Sequence, residues 1–344
     1  MAKSQRHSWH YYWEDLPLEE LLEIRICDLG LGIEDTPLEQ RIERLYEEMA
    51  ARGLNFRPHC WLSEEWFSPD GIPGIAIPFY LAHPRLMRLE RRMMLEVEGG
   101  TEEWCMKILR HEAGHAIGNA YGLHRRRSWT QIFGKYSQPY PDCYQVRPYS
   151  RSYVQHLDPF YAQSHPAEDF AETFAVWLKP RSGWRKQYAG WGAYKKLEYV
   201  EELMAEIPDM EAVSRTKMRI DSLPRIRKTL GQHYQEQQDR YRVGEQIFDD
   251  ETLLQLFTDN PRKSTPSAWS FFVKHRAEFR QVVSEWSGQY KYVIDQVLDD
   301  IVARCRELKL RLKKSERETK RDAMVLLAVQ TMNYLHRGDN RYHL

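Results

Sequence analysis

The chain has 344 residues, with 50 lysines and arginines against 50 aspartates and glutamates. This length supports a sizeable core in one to three domains, and the balanced charge excludes a global field that would draw the chain to nucleic acid or an acidic membrane. No apolar amino-terminal leader and no run of about 18 apolar residues is found. Cys27, Cys60, Cys105, Cys143 and Cys305 are scattered without a CxxC, which suits free thiols rather than a disulfide framework or a zinc ribbon. These features place the chain in the cytoplasm, with no nucleic-acid or membrane partner.

Residues 15–54 read as two helices. Thr36, Pro37 and Glu39 form a capping box with proline at the first helical position, Leu38, Ile42, Leu45 and Met49 share one face, and Gly53 marks the stop. The aromatic cluster Trp9, Tyr11, Tyr12 and Trp13 ahead of them is read as packing. From Phe56 to Pro84 short apolar runs alternate with turn signals. The run Gly74 to Tyr80 (GIAIPFY) is expected to lie at a sheet edge, because Pro78 cannot donate a ladder hydrogen bond. Such an edge could pair with an extended peptide, or it could be blunted against aggregation. A charged helix over Leu86 to Glu96 ends at Gly99-Gly100.

Thr101 to Tyr121 carries His111, Glu112 and His115 in a strongly helical setting, the HExxH arrangement. Histidines four apart on a helix sit nearly above one another and aim two imidazoles at one point. Zn²⁺ held by two such nitrogens and a third protein ligand keeps an open position for water, and Glu112 is the candidate general base. Gly122 to Ser164 has few helical signals and many Arg, Tyr and Pro residues, and is read as a loop that walls a cleft. The next helix, His165 to Pro180, sets Phe170, Phe174, Trp177 and Leu178 on one stripe. Glu168 and Glu172 lie opposite, beside small Ala171 and Ala175, which permit close approach by another helix. Tyr121 stands where metzincins place a third histidine, so the third ligand must come from further on. His156, Asp158, His165, Glu168, Asp169 and Glu172 are the candidates.

HEAGHA followed by EDFAETFA resembles the gluzincin clan, which implies Glu168 as the third ligand and Glu172 as the acidic partner of a ligand histidine. The same motifs resemble the catalytic domain of anthrax lethal factor, which implies a tyrosine seven residues before the ligand glutamate as an oxyanion donor. Tyr161 holds that position here, and Tyr153 or His156 could take the role instead. The stretches CDLGLGIE, FRPHCWLSEEWFSPDG, IPFYLAHPRL, RHEAGH and YAQSHPAEDFAET are similar to those of a bacterial zinc-binding metallopeptidase family, over about residues 20–205. Some of its relatives carry an added cysteine zinc ribbon that this chain lacks.

After Pro208 the sequence reads as almost continuous helix, interrupted at Pro224, Gly244, Pro261 and Pro266. Tyr290, Ile294, Val297, Ile301, Cys305, Leu308 and Leu312 keep a three-four spacing that gives a long buried stripe. The basic run Arg304 to Arg321 suits a solvated helix. This region would serve as lid and scaffold, or as a surface for homo-oligomerisation or partner docking.

The expected fold is therefore α+β, mostly α. An N-terminal helical extension (1–54) precedes a zincin-like metallopeptidase core (55–207) with a small edge-strand sheet, and a long-helix C-terminal region (208–344) follows. The expected activity is zinc-dependent hydrolysis of a peptide bond in a peptide or protein substrate, with one catalytic Zn²⁺. The alternatives are a catalytically inactive, zinc-stabilised binding or regulatory protein, and a hydrolase of a non-protein amide.

Overall fold

A computed structural model describes residues 10–141, 144, 146–157, 160–242, 250–260 and 264–336. Trp9, Cys143, Asp158, Gly244 and Pro261, all singled out above, lie outside the described residues. The chain divides into two compact units, residues 1–91 with 97–233 and residues 92–96 with 234–344. The structure is mostly helical with small sheets, and among the described residues no helix is long and apolar enough to cross a membrane.

The first unit begins with α1 (Leu18–Leu22) and α2 (Pro37–Ala50). The capping box forms in altered detail. Thr36 Oγ1 accepts from the Leu38 N–H at 3.2 Å, while Glu39 reaches back to the Asp35 N–H at 2.8 Å. Leu38, Ile42, Leu45 and Met49 are buried along one face of α2. Trp13 is fully buried, donates to the Leu29 carbonyl and stacks on Tyr11, whereas Tyr12 is exposed.

Strands β1 (His59–Ser63) and β2 (Gly74–Pro78) pair in parallel, with Trp61 opposite Ala76 and Ser63 opposite Pro78. As expected, β2 is an edge strand of this two-stranded sheet, although its open side is covered at one residue by an isolated bridge. The Ala76 N–H donates to the Phe67 carbonyl at 2.8 Å, so β2 has β1 on one side and an antiparallel bridge on the other. Pro78 is tolerated because it is the last residue of the strand, where a missing N–H breaks little of the ladder.

Helix α3 (Pro84–Met94) precedes α4 (Glu102–Tyr121), which packs against α2, β2 and α6 (Pro166–Leu178). Thr101 caps α4 by accepting from the Trp104 N–H, Glu102 and Glu103 lie in its first turn where the helix dipole favours them, and left-handed Gly122 ends it. The segment read as a long loop contains a further short helix, α5 (Arg127–Phe133), whose buried Trp129 and Phe133 pack on Phe170. Seven residues are too few for periodicity to announce a helix. Helices α7 (Trp184–Gln187) and α8 (Gly192–Glu206) follow, and α8 packs on α6.

Between Met210 and Thr229 the expected continuous helix is absent. The segment is extended, with a short turn at Leu223–Arg225, and it is held from outside. His59 Nε2, Trp61 Nε1 and Ser63 Oγ, alternate residues on one face of β1, donate to the carbonyls of Met218, Ile220 and Asp221 at 2.9, 2.8 and 2.7 Å. Over 211–220 its apolar side chains Val213, Met218 and Ile220 are exposed, and only Leu223 and Ile226 further on are buried, so a helix here would have little apolar face to bury. Helix α9 (Leu230–Arg240) begins after it.

The second unit contains α10 (Asp250–Leu256), β3 (Phe257–Thr258), α11 (Ala268–Ser287), α12 (Lys291–Glu307), β4 (Arg311–Leu312) and α13 (Glu316–His336). Its core holds Phe257, Phe271, Phe272, Phe279, Ile294, Val297, Ile301, Cys305 and Leu312. The predicted stripe is thus buried from Ile294 to Cys305, and Leu312 stays in the core although it lies beyond the helix, on β4. Tyr290 is the partly exposed N-cap of α12. The basic run Arg304–Arg321 spans a helix end, β4 and a helix start, and several of its cations are paired: Arg304 with Asp250, Lys314 with Asp322 and Lys320 with Glu278.

Candidate metal centre

The close contact of α4 and α6 creates the site. Gly114 and Ala171 meet at the crossing: a Cβ on Gly114 would lie 2.9 Å from Ala171 Cα. His111 and His115 flank Gly114 on α4, and Glu168 precedes Ala171 by one turn on α6, so the backbone approach carries three donors together. His111 Nε2 lies 3.1 Å from His115 Nε2, and Glu168 Oε2 lies 3.0 Å from each. Two ligands at about 2.0–2.1 Å from one zinc with tetrahedral angles stand about 3.3–3.4 Å apart, so this triangle is within a few tenths of an ångström of what the ion requires. Three electron-pair donors aimed at one point also need a cation or a proton among them. The residues fit a metal ion.

Buried partners fix the donors. Glu172, fully buried, accepts from His111 Nδ1 at 2.8 Å and from the Leu157 N–H at 2.8 Å. A carboxylate on Nδ1 puts the proton there and leaves the Nε2 lone pair facing the site. Burial alone would lower the His111 pKa, but Glu168 and Glu172 hold it well above the ordinary histidine value. Burial alone would raise the pKa of Glu168, yet His115 and His111 bring it well below the usual carboxylate range. An acidic solvated face on α6 is excluded, since every residue from Pro166 to Leu178 is buried.

Glu112 is 7 % exposed, its Oε2 has no hydrogen-bond partner among the described residues, and burial raises its pKa. The Ser68 hydroxyl donates to the Glu112 carbonyl at 3.1 Å, which ties the segment after the Phe67 bridge to this turn of α4. The Tyr161 ring lies 5.5 Å from that of His111, and burial followed by the Glu168 charge raises its pKa well above the ordinary phenol value.

The other candidates have different partners. His165 caps α6, its Nδ1 accepting from the Ala167 N–H at 3.1 Å, and its Nε2 lies 3.0 Å from the Gln138 carbonyl. His156 Nε2 lies 3.0 Å from the Lys107 carbonyl. Asp169 pairs with Lys196 at 2.5 Å, and burial still lifts its pKa to about 7. The Lys196 ammonium sits 4.2 Å from the Tyr153 ring centre.

Sequence reasoning missed Tyr140, whose hydroxyl donates to Glu168 Oε1 at 2.7 Å while its ring stacks on His165. It missed as well the hydrogen bond from Tyr136 to Asp70. Both tyrosines come from the loop read as a cleft wall, where no periodicity marks an individual residue.

A helix pair that offers two histidines and a glutamate to one point defines a metal-binding site, and His111, His115 and Glu168 are the three residues that could hold the ion. Residues 105–190, which span both helices, match the family described as "Putative zinc-binding metallo-peptidase", the family that the motifs resemble. The match covers a quarter of the chain and includes His111, Glu112, His115, Tyr140, Tyr161, Glu168 and Glu172, while Ser68, Asp70 and Lys196 lie outside it. Zinc is accordingly the metal to which the donor set and the family both point. No curated protein and no solved structure matches the chain.

Proposed function

We propose that the chain is a zinc-dependent peptidase of gluzincin type, acting in the cytoplasm on a peptide or protein substrate. The observation that supports it most is the triangle of donors from His111, His115 and Glu168 beside a buried Glu112 whose Oε2 has no partner among the described residues. When bound there, zinc supplies Lewis acidity, polarising the scissile carbonyl and bringing the pKa of water toward neutrality. Glu112 takes the proton of the attacking water and passes it to the leaving amine. Glu172 holds the His111 ring and its tautomer through the 2.8 Å bond to Nδ1. Tyr161, kept protonated by its raised pKa, donates to the oxygen on which negative charge develops. The described free cysteines, Cys27, Cys60, Cys105 and Cys305, suit a reducing compartment.

The test is metal content together with turnover of a peptide library. Glu112→Gln should retain stoichiometric zinc and lose hydrolysis, and Glu168→Ala should lose zinc. Full zinc retention by Glu168→Ala would refute the ligand set. A zinc-loaded wild-type chain that cleaves nothing in the library would favour a zinc-stabilised binding protein instead.

A further inference from the structure

We propose that Tyr140 is a positioning residue that presents a single oxygen of Glu168 to the metal and so keeps this carboxylate from occupying a second coordination position. The inference rests on the zinc-peptidase reading and deepens it. A glutamate side chain has two chemically equivalent oxygens, and rotation about its last bond lets either or both face a cation. A zinc site with three protein ligands works in hydrolysis only while its remaining position stays open, and a carboxylate that turned both oxygens inward would close it.

In this structure the two oxygens are not equivalent. Oε2 lies 3.0 Å from both His111 Nε2 and His115 Nε2, whereas Oε1 accepts the Tyr140 hydroxyl at 2.7 Å. The phenol is itself held. Its ring stacks on His165 at 3.9 Å between centroids and 18° between planes. His165 is fixed in turn as the N-cap of α6, through the Ala167 N–H and the Gln138 carbonyl. The group that sets the carboxylate's orientation is therefore braced against the start of the helix that carries the carboxylate. A small displacement of α6 moves donor and acceptor together.

Tyr140→Phe removes the hydroxyl and keeps the stacked ring, so the metal-free protein should still unfold in one cooperative transition, at a somewhat lower temperature because a buried carboxylate loses one donor. The probes are Zn²⁺ and Co²⁺ added to the purified full chain. In the Co²⁺ form, the visible absorption of Tyr140→Phe should weaken relative to wild type as the cobalt gains a ligand oxygen. In the Zn²⁺ form, kcat should fall by about 10–100-fold with KM changed far less. Tyr136→Phe, whose hydroxyl meets Asp70 rather than Glu168, should leave the cobalt spectrum unchanged. A cobalt spectrum of Tyr140→Phe identical to wild type overturns the assignment whatever the turnover. A wild-type chain that binds neither ion overturns the underlying reading, and this one with it.

Discussion

Gly114→Ala places one methyl group at the crossing of the two helices that build the site. The added Cβ would lie 2.9 Å from Ala171 Cα, 3.2 Å from the Ala171 carbonyl oxygen and 3.2 Å from Phe174 Cβ. Carbon atoms rest at about 3.5–4.0 Å, so α4 and α6 must part by about 0.6–1.1 Å, and two of the three obstructing atoms are backbone that cannot rotate away. Alanine gains about 1 kcal/mol in helix propensity over glycine, and overpacking costs about 1–3 kcal/mol. The metal-free protein should therefore lose only about 0–2 kcal/mol. The site should suffer more, because donors 3.0 Å apart across the same crossing tolerate only about 0.5 Å of displacement. Urea unfolding of the metal-free protein and zinc competition against a chromophoric chelator separate the two effects, with an expected loss in zinc affinity on the order of 10–100-fold. Gly118→Ala is the internal comparison. Its Cβ would meet the Phe170 ring at 3.5 Å, an ordinary contact, and should stabilise by up to about 1 kcal/mol. If Gly114→Ala bound zinc as tightly as wild type, the reasoning that the helix crossing sets the donor triangle would be refuted.

The ion pair of Arg110 with Glu48, at 2.6 and 2.8 Å, is buried between α4 and α2, so Glu48→Ala strands a charge and should cost about 3–5 kcal/mol in urea unfolding. Glu48→Leu with Arg110→Met should recover most of that loss, and a double variant no more stable than the single one would contradict the account. Zinc at a free concentration of about 100 times its Kd should stabilise wild type by about 2.7 kcal/mol and leave Glu168→Ala unmoved, as read by thermal melting with and without chelator. In the second unit, burial alone would raise the pKa of Asp295, but hydrogen bonds from Arg276 and Arg280 at 2.7 Å lower it. A folded pKa below the unfolded one gives stabilisation that is complete above the ordinary carboxylate value of about 3.9 and is lost as pH falls through the folded value. The stability difference between wild type and Asp295→Asn should therefore be flat near neutrality and shrink in acid. A difference that grows on acidification would show the sign to be wrong.

The parts of the site that sit on long helices were legible in the sequence. Four-residue spacing aligns His111 with His115 on any helix, and small Ala171 beside Glu168 and Glu172 announced a face that another helix could approach closely. What spacing could not supply was the choice among His156, Asp158, His165, Glu168, Asp169 and Glu172, because that depends on which turn of α6 lies against Gly114. Tyr140 was illegible for a related reason: its role depends on a ring stacking on a helix cap, a relation between a loop and an element 25 residues away. The same limit applies to β2. Pro78 says that one N–H is missing, but only the chain path shows that the gap falls at the strand's end and that Phe67 meets Ala76 on the open side. Beyond Pro208, polar composition with good helix formers suggested helix, and the extended course of 210–229 follows from hydrogen bonds offered by β1 more than a hundred residues earlier.

That strap is gripped by its main chain. His59, Trp61 and Ser63 reach for carbonyl oxygens, groups that every amino acid carries, so the three clasps make no demand on what Met218, Ile220 or Asp221 present outward. The outward side chains, Arg215, Lys217 and Arg219 among them, can change through evolution or by design without loosening the belt. The molecule thus keeps a ribbon whose course is set by one strand and whose outer wording is free to be rewritten.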